Sequence, residues 1–183
     1  MKIESKVLID DLMARSEKSL ERAEALKKQD YKMLNRKASS ESWSALECIE
    51  HLNLYGDFYL PEISKRIEQS KYTATKGEYF KSGLLGNYFA NMMLPGEKMK
   101  KMKTFKDKNP AGSLLQTDTI DRFIQQQKEL LKLLENARQI NLNKTKTAIS
   151  ITSLLKLKLG DTFRVVIYHN QRHLMQAERA VNQ

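Results

Sequence analysis

The chain has 183 residues, of which 40% are hydrophobic and 30% are charged, and these proportions are ordinary for a globular domain with a substantial core. It carries 32 Lys and Arg against 22 Asp and Glu, and the resulting net charge of +10 suits nucleic acid, anionic lipid or an acidic substrate. No segment approaches the roughly 20 apolar residues of a membrane-spanning helix, and one cysteine excludes an internal disulfide, so we expect a single cytoplasmic domain over residues 1–183 with no membrane partner.

Apolar residues recur with a helical period in the first part of the chain. Residues 3–28 predict an amphipathic helix, and the polar residues 29–42 predict an irregular connection. A second helix is expected from Ser44 to about residue 69, because Ser44 and Glu47 have the spacing of a capping box. Pro61 lies inside this helix and is expected to kink it or to end it early.

The middle of the chain, residues 70–117, predicts a long and less regular connection. Within it, residues 83–94 predict a short apolar helix that stops at a Pro-Gly pair. The basic residues of the chain cluster most in the following stretch, at Lys98, Lys100, Lys101, Lys103, Lys106 and Lys108. We interpret this stretch as a solvated basic loop or a short frayed helix.

The last third of the chain predicts two further long helices. One is expected over residues 118–138, with Thr117 or Asp118 as its N-cap. Residues 139–159 predict a connection that is partly extended. A final helix is then expected to begin with Asp161 as its N-cap and to run to about Val181.

Four long amphipathic helices predict an all-α fold, a four-helix bundle with a long connection between helices 2 and 3. Such a connection permits parallel neighbouring helices, so a simple up-down-up-down order is not required. The interior of a bundle is a common place for metal ligands that project from facing helices.

The three histidines of the chain are the candidate ligands. His169 and His173 are four residues apart in the last helix, so they share one face, and His51 lies in the second helix. Three imidazoles leave one position of a metal open for water or substrate, which is the arrangement of catalytic zinc sites. Asn170 stands where His-Glu-x-x-His zinc proteases have a glutamate, so peptide hydrolysis by that mechanism is disfavoured.

Several neighbours of these histidines are candidates for the same site. Cys48 is either a fourth ligand or, the favoured interpretation, a small buried residue. Gln176 is expected to hold a metal-bound water, a substrate or an ordinary helical hydrogen bond, and Tyr55 to line the pocket or the core. Glu50 is either an outer hydrogen-bond partner of an imidazole or a surface carboxylate, and Trp43 is interpreted as a packing residue.

Two segments, residues 43–52 and 168–177, resemble the DinB-like (DinB/YfiT-like) family of metalloenzymes. The shared features are a Trp-Ser pair before the second helix, a histidine about two turns later and a His-x-x-x-His on the last helix. The spacing of the long helices is also similar, so the likeness covers nearly the whole chain. The resemblance implies a four-helix bundle in which His51, His169 and His173 hold a divalent metal, most often zinc or nickel.

The resemblance also implies an activity, because characterised relatives include transferases and isomerases that use bacillithiol, mycothiol or glutathione. We therefore expect a metal-dependent enzyme, a low-molecular-weight-thiol S-transferase or a hydrolase-like enzyme, that acts on a small molecule. The alternative is a non-catalytic bundle protein that binds metal or ligand. Residues 70–117 exceed the corresponding segment of the shortest members and are expected to cover the mouth of the site.

Two expectations concern macromolecular partners. Binding of nucleic acid through the basic stretch ranks last, because the sequence contains no helix-turn-helix, zinc-finger or aromatic RNA-binding motif. A homodimer is expected, because the long helices of bundles often leave an apolar edge.

Overall fold

The computed structural model describes residues 1–96 and 103–182, and the described part is mostly helical. Its helices are α1 (Ser5–Lys27), α2 (Tyr31–Asn35), α3 (Ala45–Glu68), α4 (Leu84–Met93), α5 (Asp118–Ala137) and α6 (Leu159–Val181), with one 3-10 turn at Lys106–Lys108. Within these described residues, no helix is both long enough and apolar enough to cross a lipid bilayer.

Two small antiparallel sheets accompany the helices. Strand β1 (Lys2–Glu4) pairs with β2 (Tyr79–Lys81), and β3 (Lys146–Ile149) pairs with β4 (Thr152–Lys158). The β3–β4 hairpin confirms the partly extended connection predicted for residues 139–159. The mostly helical structure agrees with the all-α expectation. The pairing of β1 with β2 adds a small sheet that the sequence did not predict, because two three-residue strands far apart in the chain carry no periodic signal.

The four long helices contact one another in a ring, in which α1 and α3 each lie against both α5 and α6. Arg15 donates a hydrogen bond to Gln171 at 3.3 Å, and Arg22 donates one to Glu178 at 2.6 Å. In both contacts the partner on α6 is 156 residues after the residue on α1. Moving along α1 therefore moves the contact the same way along α6, so the two helices run parallel.

Two apolar clusters form the core and show the direction of the other helices. The first cluster joins the early parts of α1 and α6 to the late parts of α3 and α5, and includes Leu8, Leu12, Ile63, Leu134 and Phe163. The second joins the opposite ends, and includes Leu26, Leu46, Ile49, Phe123 and Leu174. Helices α3 and α5 therefore run together, opposite to α1 and α6, as the long connection between them permits.

Most predicted boundaries of the first three long helices are confirmed. Helix α1 matches the prediction for residues 3–28, and α3 starts after Ser44 with both hydrogen bonds of the capping box. Helix α3 continues past Pro61 to Glu68, so the expectation of an early end is wrong. The connection 29–42 is not wholly irregular, because it contains α2. Thr117 occupies the N-cap position of α5, but its side chain makes no capping hydrogen bond.

The prediction that Asp161 caps the last helix is wrong. Strand β4 runs directly into α6, so Lys158 is the N-cap and Asp161 lies in the first turn. The Asp161 carboxylate is fully buried, accepts a hydrogen bond from the Gly83 amide at 2.9 Å and pairs with Arg164 at 3.1 Å. Asp161 therefore fastens the start of α4 to α6 and does not serve the end of its own helix.

Candidate metal centre

Helices α3 and α6 bring the three histidines together in the interior. One ring nitrogen from each of His51, His169 and His173 lies within 4.8 Å of the others. The Nε2 atoms of His51 and His169 are 3.2 Å apart. His51 is 4% exposed and His169 is 8% exposed, while His173 is half-buried. The structure thus brings together the three histidines that the sequence analysis named as candidate ligands.

The N-terminus of α3, the helix that carries His51, is held by several hydrogen bonds. Ser44 Oγ accepts from the Glu47 amide at 3.2 Å, and the Glu47 carboxylate accepts from the Ser44 amide at 2.9 Å. Glu47 also accepts from the Gly112 amide at 2.8 Å and from Lys37 Nζ at 2.6 Å. Burial raises the pKa of Glu47, but these hydrogen bonds lower it by more. The pKa of the carboxyl group therefore lies below its ordinary value, and the group stays ionised to a lower pH.

Two of the histidines have an oxygen acceptor behind the ring. His51 Nδ1 lies 2.7 Å from the Lys108 carbonyl oxygen, and His173 Nδ1 lies 3.0 Å from Gln176 Oε1. A carbonyl oxygen only accepts, so each Nδ1 is the donor and each Nε2 keeps its lone pair. Metal-binding histidines almost always have such an outer partner.

The charge state of the triad also suits a metal. Burial lowers the pKa of His51 to about 4 and that of His173 to about 3. Burial, and then the charges of the two other histidines, lower the pKa of His169 well below 6.5. All three imidazoles are therefore neutral near pH 7, which is the form that binds a metal.

The spacing of one pair of nitrogens, those of His51 and His169, can be compared with the geometry of a zinc site. Two imidazole ligands at about 2.0–2.1 Å from a tetrahedral zinc lie about 3.3 Å apart. The 3.2 Å between Nε2 of His51 and Nε2 of His169 matches this distance. The histidine cluster could therefore hold one metal ion.

The histidines open into a cavity of about 860 Å³. Its apolar wall includes Trp43, Tyr55, Tyr59, Phe89, Met92, Met93 and Phe105, and its cationic residues are Lys103, Arg172 and Arg179. Among the described lining residues the one carboxylate is that of Glu41, which is exposed. The cavity thus joins an aromatic region to a positively charged region beside the histidines.

The two residues predicted to bind a ligand both line this cavity. The Tyr55 ring lies 5.0 Å from the His51 ring and 4.8 Å from the His169 ring, and burial raises the pKa of its phenol to about 12. Gln176 also lines the cavity, and its amide oxygen accepts from His173. Contact of either residue with a ligand remains a prediction.

The structure decides between the two interpretations of Glu50 and confirms that Trp43 packs, since it lies against the second apolar cluster. Glu50 accepts hydrogen bonds from Arg122 and Asn53, both at 3.1 Å, and the partner of His51 is a backbone carbonyl instead. Trp43 does more than pack at the start of α3, because its ring lies 4.8 Å from the His51 ring. The signals for this position in the sequence were its place directly before the capping box and the Trp-Ser pair of the family pattern.

Two residues next to the histidines have structural roles. Cys48 is fully buried in the second apolar cluster, where burial raises the pKa of its thiol, as the favoured interpretation predicted. Asn170 donates a hydrogen bond to Gln127 of α5 at 3.1 Å, and both side chains are buried. Neither residue supplies a general base.

The basic stretch is described only in part, because Lys98, Lys100 and Lys101 lie outside the described residues. Lys103 lines the cavity and is exposed. Lys108 supplies the carbonyl that holds His51, and its ammonium group lies 5.9 Å from the centre of the Tyr55 ring. Sequence reasoning missed this role, because a backbone carbonyl has no side-chain signature.

Comparison with known proteins identifies the family. A sequence profile described as the DinB superfamily matches residues 12–177, which include all three histidines. No curated protein and no solved structure matches the chain. Because the profile covers most of the chain, this protein belongs to the DinB superfamily.

Proposed function

We propose that this member of the DinB superfamily binds one divalent metal, zinc or nickel, through His51, His169 and His173 and transfers a low-molecular-weight thiol to an electrophile. The observation that carries the proposal is the approach of three neutral imidazoles, two of them with Nε2 atoms 3.2 Å apart, at the wall of a large cavity. Three protein ligands leave a position open for a substrate atom.

The residues of the chain orient this site. The Lys108 carbonyl and the Gln176 amide oxygen engage Nδ1 of His51 and Nδ1 of His173, which leaves the Nε2 atom of each ring for a metal. A divalent metal held there would supply Lewis acidity that lowers the pKa of a bound thiol. Tyr55, which stays protonated, provides a neutral phenol beside two of the rings.

The composition of the cavity favours a thiol over water as the nucleophile. Hydrolysis usually requires a positioned base, and the described lining offers only the exposed Glu41. A thiol has a pKa of about 8.5, against about 15.7 for water, so it reaches the nucleophilic form near neutral pH with far less help. This difference supports the transferase over the hydrolase-like activity.

The cavity also indicates the class of substrate. Arg172 and Arg179 lie two helical turns apart on α6 and both line the cavity with Lys103. Guanidinium groups bind carboxylates well, and the aromatic wall accepts an apolar group. We infer that one of the two substrates, the thiol or the electrophile, carries a carboxylate that binds the cationic side chains. An apolar group of either substrate would lie against the aromatic wall.

The alternative is a protein that binds metal or ligand without turnover. The same scarcity of acid or base groups in the described cavity favours it, because nothing but the metal position would activate a nucleophile.

Metal analysis followed by a thiol assay tests the proposal. We expect about one zinc or nickel per chain in the wild type and none in His169→Ala, with Glu41→Gln as a cavity control that keeps the metal. The metal-loaded protein should then consume bacillithiol, mycothiol or glutathione in the presence of 1-chloro-2,4-dinitrobenzene. No metal after reconstitution with either ion would contradict the site, and tight ligand binding without thiol consumption would establish the alternative.

Other expectations from the sequence join this proposal. The four long helices are proposed to form the four-helix bundle of the family, in one domain over residues 1–183. The homodimer and the cytoplasmic location stay predictions, and sedimentation equilibrium of the purified protein would test the former.

A further inference from the structure

Each of the two small sheets has a pair of lysines directly opposite each other on neighbouring strands. Lys2 stands opposite Lys81, and Lys146 stands opposite Lys158. Like charges directly across an antiparallel pair are unfavourable. Lys158 Nζ donates a hydrogen bond to the Lys81 carbonyl at 2.6 Å, so the two sheets adjoin. Lys156 lies on the same face of β4 as Lys158. We call these five residues the lysine surface.

Few acids oppose these charges. The elements β2, α4, β3 and β4 contain no Asp or Glu, and β1 adds only Glu4. Two acids from neighbouring helices are already engaged. Asp161 is buried against Arg164, and Glu62 accepts from Arg66 at 2.8 Å and from the Ala148 amide at 2.7 Å. These strands and α4 thus carry the five lysines against one glutamate, so the lysine surface has an excess of positive side chains.

Large apolar side chains border the same lysines. Helix α4 begins three residues after Lys81 and contacts β4, and its Leu84 is 94% exposed while its Tyr88 is 62% exposed. Leu154 is 90% exposed and lies on β4 two residues before Lys156, where the pairing of β3 with β4 is irregular. One exposed leucine is ordinary, but leucines and a tyrosine beside five lysines are the composition of a membrane-surface contact.

We infer that the lysine surface, with Leu84, Tyr88 and Leu154, binds an anionic lipid bilayer. The ammonium groups would contact lipid phosphates, and the three apolar side chains would enter the boundary between headgroups and acyl chains. Nucleic acid would use the lysines but would leave the leucines in water. A second copy of the chain would bring another lysine surface against this one.

This inference is independent of the metal and of thiol transfer. It departs from the expectation of no membrane partner, because that expectation rested on the absence of a spanning segment, which does not bear on binding at the membrane surface.

Vesicle co-sedimentation tests the inference with the full chain. Vesicles of equal parts phosphatidylglycerol and phosphatidylcholine should bind the protein at about 0.1 M salt, and pure phosphatidylcholine vesicles should not. A lysine within about 10 Å of an anionic surface contributes roughly fivefold to partitioning, so Lys146→Gln with Lys156→Gln should weaken binding roughly 25-fold. The matched control removes two exposed lysines of α1 and α5, Lys18→Gln with Lys132→Gln.

The leucines distinguish lipid from other anionic partners. Leu84→Gln with Leu154→Gln should weaken vesicle binding roughly tenfold and leave binding to duplex DNA unchanged. These side chains are almost fully exposed, so the variant should fold normally. The inference is overturned if the control lysine variant weakens vesicle binding equally, if the leucine variant binds vesicles as wild type does, or if the leucine variant instead abolishes a dimer in sedimentation equilibrium.

Discussion

Helix α6 carries two groups of buried polar side chains, and the groups differ in how many of their polar atoms have a hydrogen-bond or ion-pair partner. In its first turn Asp161 pairs with Arg164, and both also bond to the segment before α4, through the Gly83 amide and Ser82 Oγ. Within the described residues only Arg164 Nε lacks a partner in this group. Two turns later His169 lies against His51, and one ring nitrogen of each of the three histidines lies within 4.8 Å of the others.

This difference distinguishes buried polar groups that stabilise the fold from buried polar groups that could bind a ligand. A buried ion pair whose atoms are engaged holds elements together and has no capacity for a ligand. The histidines are neutral, Nδ1 of His51 and of His173 each has an oxygen partner, and one ring nitrogen of each of the three lies within 4.8 Å of the others, so the group could bind a cation. We therefore expect the first group to control stability and the second to control metal binding.

The largest effect should come from breaking the ion pair. Arg164→Met leaves the fully buried Asp161 carboxylate without its cation, which should cost about 3–5 kcal/mol of unfolding free energy. Urea denaturation measures it, and the metal content per folded chain should not change. The double variant Asp161→Leu with Arg164→Met should recover part of the loss, because it removes the unpaired charge but leaves the Gly83 amide without its acceptor. A loss as large as that of Arg164→Met alone would contradict this account.

The histidine triad should respond to metal instead. Zinc at 100 times its dissociation constant should raise the unfolding free energy of the wild type by about 2.7 kcal/mol, because it binds the folded chain. Thermal unfolding with and without zinc measures this shift. His169→Ala should show none of it, whereas Arg164→Met should show all of it. A zinc-dependent shift in His169→Ala would place the metal elsewhere.

A smaller effect is expected from the residue behind His173. Gln176→Ala removes the acceptor at 3.0 Å and frees the ring to rotate, which should lower zinc affinity about 10- to 100-fold. Competition with a chromophoric chelator gives the affinity. Arg179→Gln, one turn further along α6, is the control that should leave the affinity unchanged.

The smallest effect concerns the start of α3. Glu47→Gln weakens the hydrogen bonds from Lys37 and the Gly112 amide and should cost about 1.5 kcal/mol at pH 7. The pKa of Glu47 is lowered in the folded chain, so its stabilisation is complete above its ordinary value of 4.5 and is lost as the pH falls through the folded value. Denaturation at pH 7 and in acid should show the two proteins converging, and a constant difference would contradict this account.

Local patterns account for what the sequence predicted correctly. The long helices follow from apolar residues at a period of 3.6, and the start of α3 follows from Ser44 and Glu47 three residues apart. The i, i+4 spacing of His169 and His173 places both on one face of a helix whatever the rest of the chain does. The match of two histidine-bearing segments to a family pattern then selected His51 as the third member.

Errors arose where the deciding contact joins distant parts of the chain. Asp161 was expected to cap its own helix, but its partner Gly83 is 78 residues away in sequence. The two roles left open for Glu50 could not be separated either, because the atom beside Nδ1 of His51 is the Lys108 carbonyl oxygen, 57 residues away. The strands β1 and β2 are three residues each, too short to show an alternating pattern.

The sequence by itself determined the four long helices, the superfamily and the three histidines, because each of these depends on residues that are close in the chain or form a shared motif. Only the tertiary structure decided which atoms hold the imidazoles, what lines the cavity, and which lysines meet across the two sheets. The sequence does not show which backbone carbonyl lies beside which side chain, or which distant segments pair, because packing of the whole chain brings these groups together.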